Sequence, residues 1–187
     1  MLLTYLLRES KIEYDIPRGM PDKDPDILDL IYDSRKAAPQ TAFVCLNGVS
    51  TDGHHYAANA YRSGCRCFFT EHEVSLPDDA VIIICGDTRA ALAALSDAFF
   101  GHPSDSLKLI GVTGTKGKTT VTSLIYSVLN KAGFPCGVIG SNGIRFGGQY
   151  RPTLNTTPES YELHKTFRDM ADSGIRYVVM EVSSQAL

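Results

Sequence analysis

The chain has 187 residues, 18 basic and 21 acidic, for a formal net charge of −3. At roughly 150 residues per domain this length allows one large domain or two small ones. With 43% hydrophobic and 21% charged residues, no Lys/Arg run and a longest apolar run of only residues 80–85, the composition excludes a disordered or collagenous chain, a dedicated nucleic-acid surface and a membrane-spanning helix of ~20 residues.

Residues 1–8 are apolar but carry no basic leader and no long hydrophobic core, so they read as a short amphipathic helix and not as a signal peptide. Residues 43–46 form a short apolar run that ends at the turn signal Asn47-Gly48. Residues 54–63 place Tyr56, Ala57, Ala60 and Tyr61 on one helical face, with Gly64 to close it. Residues 65–70 and 81–85 are predicted strands, the second continuous enough to be buried on both faces. Asp87 or Thr88 then caps a helix with Ala91, Leu92, Leu95, Ala98 and Phe99 on one side and Gly101 past its end.

Residues 102–106 read as a linker, after which the pattern restarts. A strand is predicted over 107–113. A helix over 119–132 follows, with the apolar stripe Val121, Leu124, Ile125, Val128, Leu129 and Ala132. Another strand covers 136–139, Gly147-Gly148 marks a hairpin, a helix runs from Pro158 to about Ser173, and a last strand covers 177–182. Strand–helix alternation of this length predicts the α/β class: a small N-terminal α/β domain over 1–103, then the first part of a parallel-sheet, P-loop-type domain over 104–187. An open sheet of that type normally needs more strands than this second segment supplies, so it is expected to be the start of a larger domain.

The five cysteines, Cys45, Cys65, Cys67, Cys85 and Cys136, are odd in number, and each falls in a strand-like stretch. They read as reduced core thiols of a cytoplasmic protein. Cys65-Arg66-Cys67 lacks the second pair a zinc site needs.

The sharpest chemical signal is the run from Gly111 to Thr120, GVTGTKGKTT, between a predicted strand and an amphipathic helix. Glycines there let several backbone N–H groups converge on one anion, and the helix N-terminus adds partial positive charge. Lys118 can reach phosphate oxygens, and the Thr119 hydroxyl can meet Mg²⁺. The strict P-loop pattern wants Gly where Val112 stands; the nearer form here has Gly111, Gly114 and Gly117. Glu181 closes an apolar strand, and a carboxylate at the C-terminal end of a parallel strand falls at the ligand crevice, where it can hold Mg²⁺.

Thr113 to Thr120, Asn155-Thr156-Thr157-Pro158 and Met180-Glu181-Val182-Ser183-Ser184 together resemble the Mur ligases in order and spacing. Upstream, Asp33-Ser34-Arg35, Phe43-Val44 and Asp52-Gly53-His54 resemble the N-terminal domain of the member that adds the third peptide residue to the cell-wall precursor. The resemblance implies an ATP-dependent peptide ligase of peptidoglycan synthesis with ATP and Mg²⁺ as cofactors. It also implies UDP-N-acetylmuramoyl-dipeptide and an amino acid, lysine or diaminopimelate, as partners, and an acyl phosphate as intermediate.

By the same resemblance, Gly114, Thr115, Lys116, Gly117, Lys118, Thr119 and Thr120 hold ATP, with Asn155 beside it. Tyr32, Ser34, Val49, Ser50 and Thr51 hold the uridine end. Thr156, Thr157 and Ser183 meet the muramoyl-peptide. Lys118 and Glu181 act in catalysis, and Thr119 and Glu181 hold the metal. Lys116 stands where many members carry Asn or Thr, and Gln185 where many carry His. The family's later elements and its C-terminal domain are expected beyond Leu187, which makes the 187 residues alone an inactive piece that self-associates through an incomplete sheet. Three other readings remain: a non-catalytic nucleotide or UDP-sugar module, a ligase such as folylpolyglutamate synthetase, and, weakest, a P-loop GTPase, whose base-reading motif does not follow.

Overall fold

The computed structural model describes residues 1–16, 24–48 and 51–184. The chain divides into two compact units, Met1–Phe99 and Phe100–Leu187.

In the first unit, α1 (Leu3–Ser10) is followed by β1 (Asp29–Ile31), β2 (Thr41–Val44), α2 (Ala57–Arg62), β3 (Cys67–Thr70), β4 (Val81–Ile84) and α3 (Thr88–Phe99). The four strands form one parallel sheet in the order β1-β2-β3-β4. Phe43, Phe68, Phe69, Ile82 and Ile83 are almost fully buried in it, as a sheet covered on both faces demands. Helix α1 turns Leu3, Leu6 and Leu7 inward and packs against α3, whose Ala91, Leu92, Leu95 and Ala98 are buried. The Asp87 carboxylate caps α3 by accepting the N–H groups of Arg89 and Ala90, at 2.8 and 2.9 Å.

Two expectations change here. Strand β1 was not visible in the sequence, because three residues that include an aspartate carry no periodicity. The helix expected over 54–63 is split: Gly53–Tyr56 is a 3₁₀ turn, and α2 follows it. The Asp52 carboxylate takes the His54 N–H at 2.9 Å and so starts the tighter turn.

The second unit contains β5 (Lys108–Val112), α4 (Lys118–Lys131), β6 (Cys136–Gly140), β7 (Gly143–Phe146), β8 (Gln149–Arg151), α5 (Ser160–Asp172) and β9 (Tyr177–Glu181). Its sheet order is β5-β9-β6-β7-β8. Strands β5, β9 and β6 are parallel, but β7 and β8 are antiparallel, so the sheet is mixed rather than purely parallel. Two tight turns cause this: Ser141-Asn142, closed by Gly143 at φ 87°, folds β7 back on β6, and Gly147-Gly148, at φ 53° and 79°, folds β8 back on β7.

The stretch expected as a linker is ordered. Pro103–Ser106 forms a 3₁₀ turn against α5, with Pro103 and Leu107 buried, and the boundary between the two units falls at Phe99/Phe100. The apolar stripe expected to seal α4 is only partly used. Thr122 is its one buried residue, while Val121, Leu124 and Val128 are exposed, the last at 63%. The core of this unit lies instead between the sheet and α5, around Ile139, Phe146, Phe167, Met170 and Val178.

Insertion of β9 between β5 and β6 positions the chemistry. The register places Val112 opposite Glu181, so the last residue of β9 lies beside the strand end from which the Gly-rich loop departs.

Candidate functional site

After Val112 the chain leaves β5 and enters α4 through Gly114 and Gly117, at φ 142° and 82°. Gly117 is the residue before the helix, so the unpaired N–H groups of the first turn of α4 face the loop. The Lys118 ammonium donates to the Gly114 carbonyl at 2.7 Å and thus lies folded over the loop. Thr113 to Gly117 and Thr120 are exposed, as an anion-binding surface must be; Lys116 adds a second cation there.

Glu181 is 2% exposed. Its Oε2 accepts the Thr119 hydroxyl at 3.1 Å, and its Oε1 accepts the Ser141 N–H at 3.0 Å. The Ser141 hydroxyl reaches Oε2 at 3.4 Å and the Thr156 hydroxyl at 3.0 Å. The Thr157 hydroxyl donates to the Glu181 carbonyl at 3.0 Å and accepts the Ser183 N–H at 3.0 Å. Thr119, Thr156, Thr157, Glu181 and Ser183, five of the residues singled out in the sequence, therefore form one hydrogen-bonded cluster. Asn155 is exposed next to it in the chain. Ser141 was missed: it stands one residue past β6 in a Gly-Ser-Asn-Gly turn, and its contact with Glu181 spans 40 residues of sequence.

The first unit has a cavity of about 490 Å³ of its own. Tyr32, Asp33, Ser34 and Arg35 form one side, Leu46, Gly48, Thr51 and Gly53 another, and Phe43, Tyr56 and Arg89 complete it. Tyr32, Ser34 and Thr51 were singled out in the sequence; Val49 and Ser50 lie outside the described residues, as does Gln185. Arg89 and Tyr56 were not anticipated, because each comes to the cavity from a different helical segment. The Arg35 guanidinium binds the Asp33 carboxylate through two nitrogens, and this holds the Asp33 pKa down to about 2. Gly53 is required by close approach: a Cβ there would sit 2.8 Å from the Leu46 backbone.

Two family profiles match the chain: "Mur ligase family, catalytic domain" over residues 29–100 and "Mur ligase middle domain" over residues 112–187. This chain belongs to the Mur ligase family. A relative from Clostridium perfringens, UDP-N-acetylmuramoyl-L-alanyl-D-glutamate--2,6-diaminopimelate ligase, is 42% identical over all 187 residues, which are 38% of its own length. A solved structure of a ligase of that name superposes with a TM-score of 0.76 at 24% identity, covering 99% of this chain and 37% of the other. The MurF ligase of Thermotoga maritima, crystallised in complex with ADP, superposes with a TM-score of 0.55 at 20% identity over 88% of this chain and 34% of its own. The chain thus spans little more than a third of the length of the relatives it matches. Among its described residues no helix is long and apolar enough to cross a membrane.

The residues around Glu181 suit a divalent cation. The Glu181 carboxylate is buried and hydrogen-bonds the Thr119 and Ser141 hydroxyls and the Ser141 N–H; among the described residues no Lys or Arg pairs with it. A buried carboxylate without a counter-cation is costly, so a divalent ion beside it fits the donor set. Among the described residues no cluster of three or more His, Cys, Asp or Glu surrounds it. Mg²⁺ characteristically takes one or two protein oxygens and completes its shell with water and phosphate.

Proposed function

We propose that this chain forms the UDP-sugar-binding and ATP-binding portions of a cytoplasmic ligase that adds the third amino acid to UDP-N-acetylmuramoyl-L-alanyl-D-glutamate in peptidoglycan synthesis. Diaminopimelate, named in the relatives' activity, is the amino acid. The observation that carries this reading is the Thr119–Glu181 contact. It joins the start of the loop helix to a buried carboxylate, with no Lys or Arg partner among the described residues, at the adjoining strand end.

In the reaction, the Gly114–Thr119 backbone and Lys118 hold the triphosphate of the substrate ATP. Thr119 and Glu181 would hold Mg²⁺, whose chemistry is to neutralise charge on the phosphates. The dipeptide's terminal carboxylate takes the γ-phosphoryl group to give an acyl phosphate and ADP, and the incoming amine then displaces phosphate. Both reacting groups are anionic, so alignment and neutralisation are the main tasks of the protein. Thr156, Thr157 and Ser183 border the same carboxylate and are suited to orient the muramoyl-peptide. In the first unit, the aromatic rings of Tyr32, Phe43 and Tyr56 suit a uracil face, and the guanidinium groups of Arg35 and Arg89 suit a diphosphate.

Calorimetric titration of the chain with Mg·ATP, and separately with UDP-N-acetylmuramoyl-dipeptide, tests this reading. Both ligands are expected to bind. Lys118→Ala and Glu181→Gln should weaken only Mg·ATP, each by roughly tenfold or more, as expected for a lost charge-assisted contact. Equal Mg·ATP affinity in the wild type and both variants overturns the assignment.

A further inference from the structure

Next to the cavity of the first unit lies a set of partly buried hydrogen bonds that the ligase chemistry does not use. His54 is 7% exposed. Its Nε2 accepts the backbone N–H of Glu71 at 2.9 Å, so that nitrogen carries no proton. The ring proton is therefore on Nδ1, which donates to Asp52 Oδ1 at 2.5 Å. One residue thus joins the Thr51–Gly53 side of the cavity to the end of β3. The Glu71 carboxylate continues the connection: Oε1 accepts the Thr88 N–H at 3.1 Å and the Thr88 hydroxyl at 2.9 Å. Thr88 is fully buried, touches the Cys45 carbonyl at 3.0 Å, and immediately precedes Arg89 at the start of α3. The chain Asp52–His54–Glu71–Thr88 therefore runs between the neighbours of two of the cavity's lining groups, Gly53 and Arg89.

We propose that His54 and Glu71 are positioning residues that brace these two sides of the cavity, and that the brace requires neutral, Nδ1-protonated His54. The proposal rests on the reading of this cavity as the uridine-diphosphate subsite. A second proton on His54 places an N–H against the Glu71 N–H and removes the acceptor that holds the two segments together. The titratable groups facing His54 are Asp52 on its own segment, His72, whose ring stacks on it at 4.2 Å, and Glu71.

The experiment uses the 187-residue chain with UDP-N-acetylmuramoyl-dipeptide as probe and Mg·ATP as a folding control on the second unit. His54→Ala and Glu71→Ala are each expected to weaken the uridine ligand roughly tenfold or more. Glu71→Gln, which keeps the oxygen that accepts from Thr88, should bind within about twofold of wild type. Amide hydrogen exchange, read without ligand, should quicken at 51–54 and 88–90 in both alanine variants. Unchanged exchange there overturns the brace whatever the ligand does. So does wild-type affinity in a folded His54→Ala or Glu71→Ala chain, or a Glu71→Gln loss as large as that of Glu71→Ala. Failure of the wild type to bind the probe, with exchange quickened in the variants, instead overturns the uridine reading and leaves the brace supported.

Discussion

Gly140 and Glu181 stand so close that a Cβ on Gly140 would lie 2.3 Å from Glu181 Oε1. The last residue of β6 thus has no side chain because the carboxylate on the neighbouring strand occupies that space. Gly140→Ala must move either the backbone of β6 or the carboxylate. The expected outcome is a stability loss of about 1–3 kcal/mol from overpacking, together with weaker Mg·ATP binding as Glu181 leaves Thr119. Denaturant melts and calorimetry check the two effects. Unaltered values for both would show that the site yields without cost.

Ser141 should behave differently. Its backbone N–H remains in any variant, so Ser141→Ala removes only the hydroxyl that connects Glu181 with Thr156. A small stability change of about 0.5–1.5 kcal/mol is expected. Ser141→Thr should restore what the hydroxyl supplies, and thermal melts of the two variants side by side make the comparison.

The five cysteines are free and buried. Burial pushes the thiols of Cys85 and Cys136 up to about 11, and raises those of Cys45, Cys65 and Cys67 as well. The folded chain should therefore resist a thiol-reactive dye near neutral pH, and all five groups should react once denaturant is added. Rapid labelling of the native chain would contradict the burial.

Asp33 gives a prediction in acid. Its folded pKa, about 2, lies below the unfolded carboxylate value of about 3.9, because the Arg35 guanidinium hydrogen-bonds the ionised form. A carboxyl lowered in the folded state contributes stability that is complete above the unfolded value and is lost as pH falls through the folded one. The melting-temperature difference between wild type and Asp33→Asn should stay constant from neutral pH down to about 5 and shrink below about 4. A difference that does not change with pH would show that the pair contributes nothing through charge. Exposure of Arg35 keeps the expected effect small.

Val121, Leu124 and Val128 form an exposed apolar row on α4, and Leu109 is exposed on β5, the edge strand of the same sheet. The isolated 187-residue chain is expected to self-associate at high concentration through this surface. Sedimentation of the wild type against a Leu124→Ser/Val128→Ser double variant measures it. Equal monomer content in both would remove this row as the cause.

The local features were legible in the sequence because each is encoded within one or two turns of chain. The glycine spacing from Gly111 to Gly117 with Lys118 and Thr119 marked a strand-to-helix loop suited to phosphate, Asp87 or Thr88 marked the start of α3, and Gly147-Gly148 marked a hairpin. Family membership was equally readable, since it rests on three short motifs in fixed order. Tertiary structure decided which of these pieces meet. Insertion of β9 between β5 and β6 is a pairing choice that leaves no mark in either strand, yet it alone brings Glu181 to Thr119 and Ser141 across 62 and 40 residues. The antiparallel end of the second sheet, the partial burial of α4 and the arrival of Arg89 at the cavity follow the same rule. Hydrophobic periodicity states that a face seeks cover, whereas the covering element is selected by long-range packing that no local pattern records.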